Sequence, residues 1–218
     1  MPSKVISTVN FKSGGKSSIL RLLAEELQTA IINFDSNRDA TIYNKVPTLN
    51  VNPKSSIHRK SDGIYIDGKK PIHNEYFLCD FGGYHDSRIG LIKSDIYIIP
   101  TFADFETIRE SVRMETYLRE LHADANLSKP RIIYVLNGLG IGNNKDVVKK
   151  ATSELQININ QIKSEAVILF FPETKLVKKL VNENYTVKDV LDDFFLGRWA
   201  YKKVFDFVDE LRTHIDRV

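Results

Sequence analysis

The chain has very little cysteine, tryptophan or methionine: one Cys (Cys79), one Trp (Trp199) and two Met in 218 residues. A lone cysteine cannot close an internal disulfide, so the fold does not depend on an oxidising compartment. No run approaches the roughly 18 apolar residues that a membrane-spanning helix needs. The first apolar run, Val5 to Val9, is too short for a signal-peptide core and no small-residue cleavage site follows it, so the expected location is the cytoplasm. Five histidines (His58, His73, His85, His122, His214) are scattered without metal-ligand spacing, which argues against a zinc site. No serine sits in a nucleophile-elbow context, and no repeat or low-complexity tract is present. Net charge is weak at +3, yet residues 38–70 hold seven basic side chains against three acidic ones. That segment suits a phosphate-bearing partner or is simply a solvated loop.

What is present is the pattern of one α/β domain spanning 1–218. Short apolar runs, each hydrophobic on successive residues, alternate with amphipathic stretches. The runs are Val5–Val9, Ala30–Phe34, Tyr76–Cys79, Ile96–Ile99, Ile132–Leu136 and Val167–Phe171. Unbroken apolar runs are expected of strands buried on both faces of a parallel sheet. Helical spacing begins at Ser17–Leu27. Asp104 is a candidate N-cap for a helix through His122, and Asn143 or Asn144 for one reaching Leu155. Pro172 opens a further helix that continues through Leu176, Leu180 and Val181. A last helix, 199–217, lines up Tyr201, Val204, Phe205, Val208, Leu211 and Ile215, with Trp199 as a packing anchor. The expected fold is doubly wound, with a mostly parallel sheet flanked by helices. Residues 41–74, polar and broken by Pro47, Pro53 and Pro71, read as an excursion carrying little core, with a small hairpin at 63–68.

The sharpest motif is Val9-Asn10-Phe11-Lys12-Ser13-Gly14-Gly15-Lys16-Ser17-Ser18, between a strand and a helix. Glycines let backbone N–H groups converge on an anion, and the helix N-terminus adds free donors and a favourable dipole. In that context Lys16 is placed to reach the β and γ phosphates of a nucleotide, and the Ser17 hydroxyl to coordinate Mg²⁺.

With its neighbours this segment resembles the ParA/MinD family of P-loop ATPases, whose phosphate loop carries an extra lysine near its start. Lys12 matches that lysine, which in the family reaches across a dimer interface to the partner's nucleotide. Lys12 and Lys16 are separated by three residues here, so the loop is one residue shorter than the family pattern, and Ser13 stands near a family glycine. Asp35, in Asn33-Phe34-Asp35-Ser36-Asn37, matches the first of two family aspartates. Asn37 stands where the family has the second, which orients the attacking water. Glu75 to Gly83 resembles the Walker B strand, with Asp80 holding Mg²⁺ through water and Gly82 and Gly83 beside the γ-phosphate. Ser94 to Thr101 matches the family strand that ends in proline. Asn137 matches an asparagine near adenine, and Phe171-Pro172-Glu173 a segment lining the base pocket.

The resemblance implies ATP, ADP and Mg²⁺ as cofactors and a homodimer formed on ATP binding. It further implies nonspecific DNA binding at the nucleoid, a ParB-like adaptor that binds the centromere, and no membrane. Lys175, Lys178, Lys179, Arg198, Lys202 and Lys203 are candidate DNA contacts. Intrinsic hydrolysis is expected to be very slow, because an asparagine accepts a proton poorly. Three alternatives remain at this stage: a MinD-like positioning ATPase on membranes, a slowly hydrolysing or non-hydrolysing ATP-binding accessory in DNA transfer, and a metabolic P-loop enzyme such as a biotin-pathway synthetase.

Overall fold

The computed structural model describes residues 3–10, 15–35, 46–82, 88–138, 144–172, 186, 189 and 201–217. Nine strands are described. β1 (Lys4–Thr8), β2 (Ile31–Asn33), β3 (Thr48–Asn50), β6 (Tyr76–Asp80), β7 (Ile96–Phe102), β8 (Arg131–Asn137) and β9 (Val167–Phe171) form one sheet in the order β3-β2-β6-β1-β7-β8-β9. Every pairing within it is parallel. β4 (Ile57–Lys60) and β5 (Gly63–Ile66) form a separate antiparallel hairpin. The described helices are α1 (Lys16–Glu26), α2 (Arg88–Ile92), α3 (Phe105–Asp124), α4 (Lys145–Gln161) and α5 (Lys202–Asp216).

Strand alternation sorts the core into two layers. Val5, Phe77, Cys79, Tyr97, Ile132 and Tyr134 face α3, α4 and the hairpin. Ile6, Leu78, Ile96, Ile98, Ile133 and Val135 face α1 and α5. Both faces are covered, which is why the strands read as unbroken apolar runs. Asp104 caps α3 by accepting from Thr107 N, and Asn144 caps α4 by accepting from Asp146 N and Val147 N. On α5 the buried stripe is Val204, Phe207, Val208, Leu211 and Ile215; Phe205 is only half-buried and Phe207 takes the core position. The helix expected to run from Pro172, and Trp199, lie outside the described residues.

Residues 41–74 contribute more core than their composition suggests. β3 adds a parallel edge strand to β2, and Val46, Val51, Ile57, Ile64 and Ile72 are buried. Proline is tolerated here because Pro47 precedes an edge strand rather than sitting in a central one. The hairpin reverses at Ser61-Asp62, ahead of the glycines, and Gly63 opens its second arm at φ 145 with no room for a side chain against the Phe77 ring.

One buried polar cluster fixes β8, the strand that delivers Asn137. Glu115 on α3 is fully buried and accepts from Arg119 Nε at 2.6 Å, from Tyr134 Oη at 2.7 Å and from Ser164 Oγ. Burial and the adjacent Glu115 carboxylate push the Tyr134 phenol far above its ordinary range. Glu115→Ala strands three donors, so urea unfolding should show a loss of about 2 kcal/mol or more. Glu115→Gln, which retains an acceptor, should lose distinctly less. Equal losses in the two variants would show that the carboxylate charge, which glutamine lacks, rather than retention of one acceptor holds the cluster together.

Candidate functional site

The carboxyl ends of β1, β2 and β6 meet where the chain order reverses across the sheet, the usual place for a ligand in an open α/β fold. Gly15 links β1 to α1 at φ 86 and ψ 21, in the left-handed region. Glycine takes that conformation freely, whereas other residues lose roughly 1–2 kcal/mol in it. Ile19 N donates to Gly15 O at 3.1 Å, so the helical ladder starts at the glycine. The first turn, Lys16-Ser17-Ser18, contains no acid, and no side chain caps it. Its free amides and positive dipole end therefore suit an anion. Lys16 is itself buried. Lys12, Ser13 and Gly14 lie outside the described residues.

Asp80, buried at the end of β6, accepts from Thr8 Oγ1 at 3.2 Å and from Ser17 Oγ at 3.0 Å. The register puts Thr8 beside Asp80 on one side and Asn33 on the other. One carboxylate thus joins β1, β6 and the start of α1. A hydroxyl and a carboxylate oxygen side by side form a donor set for a hard cation that keeps most of its water, which is how Mg²⁺ binds.

Asp35 approaches from β2. A Cβ on Gly82 would lie 3.3 Å from Asp35 Oδ1, so the carboxylate lies against the Gly82 backbone. Its position is set locally: Asp35 N donates to Asn33 Oδ1 at 2.9 Å, and Asn33 Nδ2 donates to Asn50 Oδ1 at 2.9 Å. Phe34 and Phe81 stack with centroids 4.9 Å apart, tying together the segments that carry Asp35 and Gly82. Arg88 lies over the Phe34 ring and donates to Phe34 O. Asn37 and Gly83 lie outside the described residues.

Asn137 ends β8, nearly fully buried, and its amide reaches the phosphate loop: Nδ2 is 2.5 Å from where a Cβ on Gly15 would sit. Pro172 lies one residue past Phe171, the partner of Asn137 in the ladder. It lines a pocket of about 460 Å³ between α4 and α5, with Val148, Phe170 and Phe207 on its walls. Lys203 borders the same pocket, together with Lys145 and Lys149, while Lys202 is held by Asp206 at 2.6 Å. Lys175, Lys178, Lys179 and Arg198 lie outside the described residues.

Three polar side chains of the site escape the sequence reading. Thr8 shares Asp80 with Ser17. Asn33 holds Asp35. Asn10 is buried and donates to Pro100 O and to Ser111 Oγ, anchoring the entry to the phosphate loop on β7 and α3. Their one signal in the sequence is a polar residue at the carboxyl end of an apolar run.

The contact between Gly15 and Asn137 is open to a double-mutant cycle. Gly15→Ala should cost about 1–2 kcal/mol from its backbone alone. Combined with Asn137→Ala, its effect should depart from additivity by at least about 0.5 kcal/mol in urea unfolding. Strict additivity would mean that the amide does not rest on the loop.

No protein family's sequence pattern matches this chain, and no curated protein is similar to it in sequence. Solved structures are similar to it in shape. A point variant of McdA from Cyanothece, solved with ATP, is 13% identical at a TM-score of 0.66, over 98% of this chain and 96% of its own. MinD from Pyrococcus horikoshii, solved with Mg-ADP, is 15% identical at 0.56, over 96% and 97%. ParA of pNOB8, solved on nonspecific DNA, is 16% identical at 0.51, over 95% and 99%. With its seven-stranded parallel sheet, and with Gly15, Ser17 and Asp80 meeting at the carboxyl ends of the central strands, the chain has the fold of the ParA and MinD ATPases.

Proposed function

We propose that this chain is a ParA-like partition ATPase that binds Mg-ATP, dimerises and then holds DNA without regard to sequence. The observation that carries this reading is the Asp80 carboxylate holding the Ser17 hydroxyl at the uncapped start of α1, beside the left-handed Gly15. The ATP and Mg-ADP bound to its structural relatives, and the DNA bound to one of them, support the same reading. In it, the backbone of Ser13, Gly14, Gly15 and Ser18 cradles the phosphates, and Lys16 neutralises charge on the β and γ groups. Ser17, and Asp80 through water, hold Mg²⁺, which supplies charge neutralisation as the β–γ bond breaks. Lys12 reaches the nucleotide of a second copy of the chain, and Asp35 and Asn37 orient the attacking water. Gly82 and Gly83 let backbone approach the γ-phosphate, and Asn137 and Pro172 border the base. A centromere-binding, ParB-like adaptor triggers release, and the protein works in the cytoplasm on the nucleoid.

The C-terminal helix favours DNA over a membrane as the partner. Its apolar stripe is buried against β9 and α1 and is not free to lie in lipid. Asp206, Asp209, Glu210 and Asp216 lie on the same helix, and an anionic bilayer would repel them. Among the described residues no helix is long and apolar enough to cross a membrane.

Lys16→Ala should abolish ATP binding in calorimetry and ATP-dependent co-sedimentation with DNA, while leaving the circular dichroism spectrum unchanged. In the wild type that co-sedimentation should fall steeply between about 50 and 200 mM salt, because phosphate contacts release counterions. Unaltered ATP affinity in Lys16→Ala would remove the phosphate-loop assignment.

Hydrolysis should be slow for a chemical reason. A missing general base typically costs about 10²–10⁴ in rate, and the Asn37 amide is a poor one. Asn37→Asp should raise single-turnover hydrolysis at saturating ATP by about tenfold or more. No gain, together with collapse of the reaction in Asp35→Ala, would assign water activation to Asp35 instead.

A further inference from the structure

At the amino ends of the strands, opposite the site above, lies a second pocket of about 360 Å³. The distance between the two is on the order of a seven-residue strand, about 20 Å. The hairpin β4–β5, the end of α2, the approach to β7 and the turn between α3 and β8 enclose it. Its polar lining holds three cations, Arg59, Lys60 and Lys93, one acid, Asp95, the His122 imidazole and two serine hydroxyls.

The pairing within this group leaves positive charge uncompensated. Arg59 Nη2 bonds Asp95 Oδ1 at 2.5 Å, and Arg59 Nη1 donates to the Lys93 carbonyl. The other Asp95 oxygen accepts from Val5 N at 2.8 Å. The Arg59 and Asp95 charges therefore offset each other through one contact, and backbone groups take up the rest of both. Lys60 and Lys93 have no carboxylate partner among the described residues; Lys60 Nζ instead rests 4.3 Å above the Tyr65 ring. Lys93 is also held at φ 45, a conformation that a lysine adopts only at a cost and that the Arg59 bond to its carbonyl helps to fix. The hydroxyl-bearing residues Ser61 and Ser128 complete the polar wall, and Leu91 and Leu127, about half exposed, stand at the rim.

We propose that this pocket binds a small phosphate monoester, with Lys60 and Lys93 on the phosphate and the organic part against Leu91 and Leu127. The fork that would read a carboxylate in bidentate fashion is already taken up by one Asp95 oxygen and the Lys93 carbonyl, whereas lysines act as point charges and suit a tetrahedral anion. Serine hydroxyls add neutral donors. A pocket of this volume lies in the range that takes small ligands. The assignment stands apart from the nucleotide reading, since it shares no residue with that site.

His122 reports on occupancy. The ring is almost completely buried, and Nδ1 pairs with the Ser128 carbonyl at 2.9 Å, so Nδ1 carries the proton. Nε2 faces the Tyr97 hydroxyl, which itself accepts from Ser94 N at 2.8 Å. Burial, with Arg59 and Lys93, holds the ring below the usual imidazole range against the opposing pull of the Ser128 carbonyl and Asp95. A bound dianion favours the protonated ring. Occupancy by the dianion must then raise the His122 pKa.

The test is a nuclear magnetic resonance titration of the His122 ring with phenyl phosphate, alongside inorganic phosphate, benzoate, and sodium chloride at matched ionic strength. Phenyl phosphate should give a saturable shift and raise the His122 pKa. Inorganic phosphate should bind more weakly, and benzoate and chloride should leave the ring unmoved. Lys60→Ala and Lys93→Ala should each weaken phenyl phosphate by about tenfold, the equivalent of one charged hydrogen bond. Both lysines lie at the pocket surface, and charge-retaining Lys60→Arg and Lys93→Arg should keep most of the binding. The proposal is overturned by no saturable shift up to about 10 mM, where a millimolar site is mostly filled. It is equally overturned by a shift that persists in the double alanine variant, or by benzoate binding as well as phenyl phosphate.

Discussion

Everything at the carboxyl end of the sheet depends on one buried carboxylate. Asp80 takes a hydrogen bond from a strand residue, Thr8, and another from a helix residue, Ser17. A buried carboxylate left without donors would be costly, so these two bonds are constraints as well as contacts. They tie the end of β1 and the start of α1 to the end of β6. Gly15 then has one conformation open to it, and the Asn137 amide closes over it from β8. Asp35 reaches the same corner from β2 because Asn33, on the neighbouring rung, orients it.

The parts of this arrangement that repeat along the chain are readable in the sequence. Apolar runs mark the strands of the main sheet except β3. The change to helical spacing after Lys16 marks α1, and Asp104 and Asn144 mark two helix starts with their caps. Lys16 and Ser17 are readable as the start of a helix after a strand and a glycine turn, and Asp80 as the polar end of an apolar run. What cannot be read are pairings between distant residues. Thr8 and Asp80 are 72 positions apart, and Asn10 and Pro100 are 90 apart. No periodicity records such a meeting. β3 is hidden for a different reason: an edge strand of three residues, beside proline and half-exposed, buries too little to leave an apolar signature. Phe205 and Phe207 are two places apart on a helix, and the crossing of α5 over β9, where Phe207 meets Phe171, decides which of them is buried.

The two ends of the sheet are built on different electrostatic terms. At the carboxyl end a lysine and a helix terminus converge with a carboxylate and hydroxyls, an arrangement able to take an anion and a cation together. At the amino end Arg59 and Asp95 cancel, leaving lysines and a proton-poor imidazole. β7 runs between the two, with Asp95 ahead of its first residue and Pro100, which accepts from Asn10, near its last.

The central position of β1 bears on how the chain comes together during synthesis. β1 is made well before its neighbours in the sheet, which begin at Tyr76 and Ile96. Lys4, at its start, also reaches the carbonyls of Ile215 and Asp216 at the far end of the chain. A central strand is therefore partnered late. During that interval Val5, Ile6 and Val9 have no native cover, the kind of exposed segment that chaperones hold and that aggregation recruits. Ser17, at the start of α1, likewise has no Asp80 to bond until β6 has been made.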